Sequence, residues 1–168
     1  MSLREFQHRV LPIKDKLFRF ALRMVGNSPE AEDIVQEVFI KLWSSREALA
    51  EVQNMEAWGI RITKNLAIDK LREKFRHTAE ISDALPLADT EAGPYERTEQ
   101  NDTLAQIQQF IDQLPEKQRL VMQLRDIEGM SYQEIAEALE LPMPQVKVYL
   151  HRARQAVRSG LLNASVLR

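Results

Sequence analysis

An all-α fold, two small helical domains joined by an acidic flexible linker with the second ending in a helix-turn-helix, follows from three features of the sequence. The 168 residues contain only five glycines. Long stretches repeat apolar residues every three or four positions, the period of an amphipathic helix. Between two such regions lies "ISDALPLADTEAGPYERTEQND", which holds Pro86, Gly93 and Pro94, lacks periodicity and is rich in acids. A segment of that kind cannot bury enough apolar surface to offset its ordering entropy. The expected division is a first domain over 1–77, the linker over 78–103 and a second domain over 104–168.

The first helix is expected around Val10 to Met24, ending at "GNSPEAED". There Ser28 is suited to cap the next helix with Pro29 at its first position, and Glu30, Glu32 and Asp33 suit the positive end of the helix dipole. Along that helix Ile34, Val35, Val38, Phe39 and Leu42 share a core face, while Asp33, Gln36, Glu37 and Ile40 project away. Two readings of Ile40 fit: a stray surface apolar residue, or the centre of a protein-binding face.

"EAWGIRITKNLAIDKLREKFR" predicts a third helix. Trp58, Arg61, Asn65, Asp69 and Arg72 fall on one face at steps of three and four, with Ile60, Ala67, Ile68, Leu71 and Phe75 roughly opposite. An aromatic ring, an amide and arginines on one face suit unpaired bases, which stack on rings and bond to amides and guanidinium groups. The plainer alternative is that Trp58 packs the preceding loop and Asp69 pairs with Arg72.

The second domain opens with a stripe of Leu104, Ile107, Phe110, Ile111 and Leu114. Pro115 then starts a helix through Leu120, Val121 and Leu124 that ends at Gly129. In "GMSYQEIAEALELP", Ser131 and Glu134 form a capping-box pattern, and Ile135, Ala136 and Leu139 are expected inward. Pro142 and Pro144 fit only the start of the last helix, since proline fixes φ and lacks an N–H. Its apolar face is Val146, Leu150, Ala153 and Val157, and Lys147, His151, Arg152, Arg154, Gln155 and Arg158 occupy the rest. Val148 lies roughly 200° from Val146, near the centre of the side opposite the core. Two short helices so arranged match the helix-turn-helix plan, whose second helix enters a DNA major groove, although Glu140 stands where glycine is usual. A helical hairpin without DNA also fits.

The formal net charge is only −2, but it is strongly segregated. Residues 61–77 carry six cations against two acids, whereas residues 78–114 carry eight acids against Arg97 alone. The absence of cysteine excludes disulfides and thiolate metal sites. No apolar run is long enough to span a bilayer, and "MSLREFQHRV" lacks a signal-peptide core, so a cytoplasmic protein is expected. His8, His77 and His151 are far apart in sequence, and neither an HExxH motif nor a phosphate loop occurs. No enzyme, metal site, cofactor or small-molecule substrate is therefore expected.

In order, "AEDIVQEVFIKLW", "AWGIRITKNLAIDKLR", an acidic linker and "LPEKQRLVMQLRDIEGMSYQEIAEALELPMPQVKVYLHRAR" resemble the extracytoplasmic-function (ECF) sigma factors of bacterial RNA polymerase. The resemblance covers nearly the whole chain. It implies an alternative specificity subunit whose first domain binds the polymerase clamp helices and opens the −10 element, and whose last domain binds the −35 element and the polymerase flap. An anti-sigma factor is an implied partner. Asp33, Gln36, Glu37 and Phe39 fall in the polymerase-binding motif; Phe39 points inward, and the exposed set with Ile40 is the expected polymerase contact. Trp58, Arg61, Asn65 and Arg72 match the promoter-melting helix, and the loop "REALAEVQNMEA" occupies the place where the family holds a flipped base. Gln145, Lys147, Val148, Tyr149, His151, Arg152 and Arg154 lie in the segment that docks on −35 DNA. Here the chain departs from the common pattern: Pro144 replaces a frequent Gly, Gln145 a Thr, Val148 a Ser and Tyr149 an Arg. A conventional helix-turn-helix regulator would explain Ser131 to Arg158 but not the first-domain motifs.

Overall fold

The structure, a computed structural model, describes residues 1–80 and 99–164; the side chains of 79, 80 and 99–101 are outside this set. Most of the expected linker, 81–98, lies outside the described residues. Every described element is helical, and the chain divides into two compact units.

In the N-terminal unit the expected first helix is divided. A capping box between Ser2 and Glu5 opens α1, Leu3–Val10. Pro12 then interrupts the ladder, because it has no N–H to donate and its ring crowds the preceding turn, and a 3-10 turn at Leu11–Ile13 leads into α2, Lys14–Val25. Gly26 ends α2 at φ 80°, a conformation that favours glycine. The next cap is Asn27, one residue before the expected Ser28. Its Oδ1 accepts from the Glu30 N–H at 2.8 Å, which puts Pro29 second in α3, Ser28–Ser44, where its missing N–H still costs nothing. A short α4, Arg46–Leu49, lies within the loop that leads to α5, Met55–Glu80.

α2 packs on α3 and α5, and α3 on α5, around Leu17, Phe20, Ile34, Val38, Leu42 and Ile60, all fully buried. Each such side chain contributes roughly 1.5–3 kcal/mol of transfer free energy. Phe39 is only half-buried, at the rim of this core. The expected inner face of α5 holds at Ile60 and Ala67 but not beyond: Leu71 and Phe75 are 37% and 76% exposed. α5 outruns α2 and α3, so its last turns have no core to face, and Thr63 and Leu66 fill buried positions instead. The Thr63 hydroxyl is satisfied by donating to the Gly59 carbonyl at 2.7 Å.

The C-terminal unit is built from α6, Glu99–Asp112, α7, Glu116–Met122, most of α8, Tyr132–Leu139, and α9, Met143–Asn163. Pro115 caps α7, which widens into a π turn at Gln123–Ile127 before Gly129 reverses the chain at φ 72°. The expected α6 stripe is buried only toward its end: Ile111 and Leu114 are buried, whereas Leu104 is 64% exposed. On α8, Ala138 is buried where Ala136 was expected, and Ala136 is half-exposed. α9 crosses both α6 and α7. The α6 crossing is close at Gly160, where an added Cβ would meet the Phe110 ring at 2.6 Å. Gly160→Ala should therefore lower the stability of the protein by about 1–2 kcal/mol, although alanine is the better helix former. Urea unfolding checks this, and an unchanged or raised midpoint contradicts it.

Candidate nucleic-acid interface

The helix-turn-helix is built by three local devices. Ser131 and Glu134 cap α8 reciprocally: the Glu134 N–H donates to Ser131 Oγ at 3.1 Å and the Ser131 N–H to Glu134 Oε1 at 3.3 Å. Glu140 then adopts the left-handed conformation at φ 56° and ψ 45°, the role glycine usually fills at a helix end. Pro142 caps α9 from an extended conformation and Pro144 sits in its first turn, so the helix begins where the two prolines require.

On α9, Val146, Leu150, Ala153, Val157 and Leu161 are buried in one stripe. Gln145, Lys147, His151 and Arg152 are exposed, Val148 is 45% exposed, and Tyr149 is half-buried. Arg154 differs from its neighbours. Its Nε and Nη2 donate to the two carboxylate oxygens of Asp126 at 3.0 and 2.6 Å. That hydrogen bond and charge raise its already high pKa further. Nothing in the helical spacing of α9 announces this pair, because Asp126 lies in the π turn far upstream. Tyr132, at the start of α8, lies under the Arg125 guanidinium at 4.5 Å and near the Lys147 ammonium at 5.8 Å.

On α5 of the N-terminal unit, Trp58 is 40% exposed with the Arg61 guanidinium 5.7 Å from its ring centre. Asn65, Asp69 and Arg72 are exposed further along. A ring open to solvent beside a cation can take a stacked base. On α3, Asp33, Gln36 and Glu37 are exposed around Ile40, itself 65% exposed. Glu37 and Glu30 are approached by Lys70 and Lys74 of α5 at 3.5 and 3.6 Å. Such exposed pairs contribute little energy, but they set the acidic edge of α3 against the basic edge of α5.

Sequence reasoning missed how the loop before α5 is held. Arg9 of α1 donates to the carbonyls of Leu49 and Ala50, both at 3.2 Å, and to that of Val52. Next to it Trp43 is clasped between Phe6, edge-on with ring centres 5.1 Å apart, and the Arg46 guanidinium at 4.1 Å. An arginine bonded to three carbonyls from one loop leaves no spacing signature that could have revealed it.

Among the described residues no group of three or more histidines and carboxylates is placed to hold a metal ion, and no helix is long and apolar enough to cross a membrane. The sigma-70 region 2 family matches residues 10–77 and the sigma-70 region 4 family residues 104–157. A chain with these two regions in this order is a transcription initiation factor of the sigma class. It is 34% identical over 157 residues to the ECF RNA polymerase sigma factor SigW of Bacillus subtilis, covering 88% of this chain and 84% of that protein. It is 35% identical over 160 residues to the ECF RNA polymerase sigma factor SigE of Mycolicibacterium smegmatis, covering 90% of this chain and 59% of that protein. The fold is similar to that of the sigma factor RpoE from Bartonella quintana, solved in complex with the anti-sigma factor NepR, with a TM-score of 0.76, 21% identity and coverage of 99% of this chain and 100% of that one. The chain belongs to the ECF RNA polymerase sigma factors, the alternative sigma factors that direct core RNA polymerase to specific promoters.

Proposed function

We propose a division of labour between the two units. Residues 1–77 hold the polymerase clamp helices on the α3 face of Asp33, Gln36, Glu37 and Ile40, and open the −10 element along the α5 face of Trp58, Arg61, Asn65 and Arg72. Residues 104–168 dock on the polymerase flap and on the −35 element, with Gln145, Lys147, Val148, Tyr149, His151 and Arg152 facing the groove. The acidic stretch 78–103 joins them and, being of the wrong sign for phosphates, keeps off promoter DNA. The protein works in the cytoplasm without catalytic chemistry of its own. The complex of Bartonella RpoE with NepR supports an anti-sigma partner for this chain too.

The observation that carries this reading is chemical contrast between exposed faces. α9 offers cations around Val148 on the side opposite its buried stripe, and α5 offers Trp58 among cations, whereas the exposed face of α3 is acidic around one isoleucine. The first two suit nucleic acid and the third a protein. Binding of the holoenzyme to promoter duplexes should accordingly weaken linearly in log K against log salt concentration, because each phosphate contact releases counterions. A flat dependence would sink the DNA assignment.

Val148 sharpens the −35 contact. An exposed branched side chain at the centre of a groove-facing surface suits a thymine methyl, flanked by Lys147 and Arg152 on phosphates or a guanine edge. Val148→Ser should weaken binding at one thymine-containing position of the −35 element by about 1 kcal/mol. A titration over single-base promoter variants checks it; a uniform drop, or none, rules out the methyl contact.

A further inference from the structure

Arg154 was expected among the residues of the segment that docks on −35 DNA, yet its guanidinium is already engaged at both Nε and Nη2 by one carboxylate. A two-pronged arginine–carboxylate pair fixes direction as well as distance, because both groups are planar. Its place on the helix agrees. At 100° per residue Arg154 falls roughly 80° from Val146, at the flank of the buried stripe, whereas Val148 and Arg152 fall on the far side. The acceptor, Asp126, is itself held firmly. The π turn that carries it is closed by the Met130 N–H donating to the Leu124 carbonyl at 3.0 Å, and by Arg125 Nη1 donating to the Met130 carbonyl at 2.9 Å. Leu124 beneath it is fully buried.

We infer that Arg154 is a positioning residue: through Asp126 it restrains the roll of α9 that the buried stripe sets, and so the angle at which Gln145, Lys147, Val148 and Arg152 meet the −35 duplex, without itself contacting phosphate. The inference rests on the proposed −35 docking of α9. An exposed ion pair adds little to global stability, so its loss acts on sequence discrimination more than on folding. Asp126 thereby becomes a specificity determinant although it lies outside the helix-turn-helix.

The test uses the full chain assembled with core polymerase and titrated, at several salt concentrations, on promoter duplexes with an intact or a scrambled −35 element. Arg154→Gln and Asp126→Asn should each reduce the preference for the intact element by a similar factor, roughly three- to tenfold. Affinity for the scrambled duplex and its salt slope should not move. Arg154→Lys, which keeps the charge but lacks the planar fork, should not restore the preference, whereas the exchanged pair Asp126→Arg with Arg154→Asp should restore part of it. Equal loss on both duplexes with a salt slope smaller by about 0.9 for Arg154→Gln assigns the residue to phosphate and overturns the inference. Tighter binding by Asp126→Asn does the same, and so does a loss of folding that the exchanged pair fails to repair. A wild-type holoenzyme indifferent to the −35 element instead removes the docking reading, and the inference with it.

Discussion

Ile40→Glu should cost the protein its grip on core RNA polymerase, by about 2–3 kcal/mol or roughly 30- to 150-fold in affinity. Ile40 is 65% exposed on α3 with Asp33, Gln36 and Glu37 around it, while Ala31, Ile34, Val35, Val38 and Leu42 of the same helix are buried. The substitution therefore leaves the core untouched, and the helix tolerates glutamate well. At an interface that closes over the isoleucine, a carboxylate would be desolvated without a partner, in a face that already carries two acids, and that is costly. Affinity capture of core polymerase by the variant, with circular dichroism to verify intact helicity, measures the effect. Unchanged affinity with unchanged helicity would return Ile40 to the class of stray surface residues.

Trp58→Ala should slow promoter opening by roughly ten- to a hundredfold while leaving the −35 contact intact. The ring is 40% exposed, lies beside Arg61, and precedes Asn65 and Arg72 on the same helix, so it can take an unstacked base as the duplex separates. Stacking of one base on an aromatic ring contributes about 1–3 kcal/mol, and the gain exists only once the strands part. The deficit should consequently appear in open-complex formation, read by permanganate reactivity of unpaired thymines. A premelted template should restore part of the activity but still bind less tightly than with wild type. Equal losses in −35 binding and in opening would instead place Trp58 among the residues that hold the fold.

The helices were legible where chemistry repeats locally. Ser131 with Glu134, and Pro142 with Pro144, announced α8 and the start of α9 because capping and proline geometry act over three or four residues. The α9 stripe of Val146, Leu150, Ala153 and Val157 was equally plain, and all four residues are buried. Errors arose where a helix continues past its packing partners. The apolar spacing of Leu71 and Phe75 matches that of Ile60, yet they stand 37% and 76% exposed at the far end of α5. The division of the first helix at Pro12 was missed because the apolar period runs on across it. Features that depend on distant pairing, Arg9 on three loop carbonyls and Arg154 on Asp126, leave no local signature. The exposed faces of α3, α5 and α9 were legible as surfaces, because Ile40, Trp58 and Val148 each fall off the buried stripe of their helix.

The most direct measurement is transcription of a promoter library, randomised across the upstream region, by core polymerase with and without this protein, followed by sequencing of the transcripts. Two separate DNA-reading faces acting with polymerase predict two enriched sequence blocks at a fixed spacing, present only when both protein and core enzyme are supplied. Alteration of α9 should change the upstream block alone and alteration of α5 the downstream one. A single enriched block, selected equally well by the protein without polymerase and yielding no transcript, would contradict the account and leave only a helix-turn-helix that binds DNA.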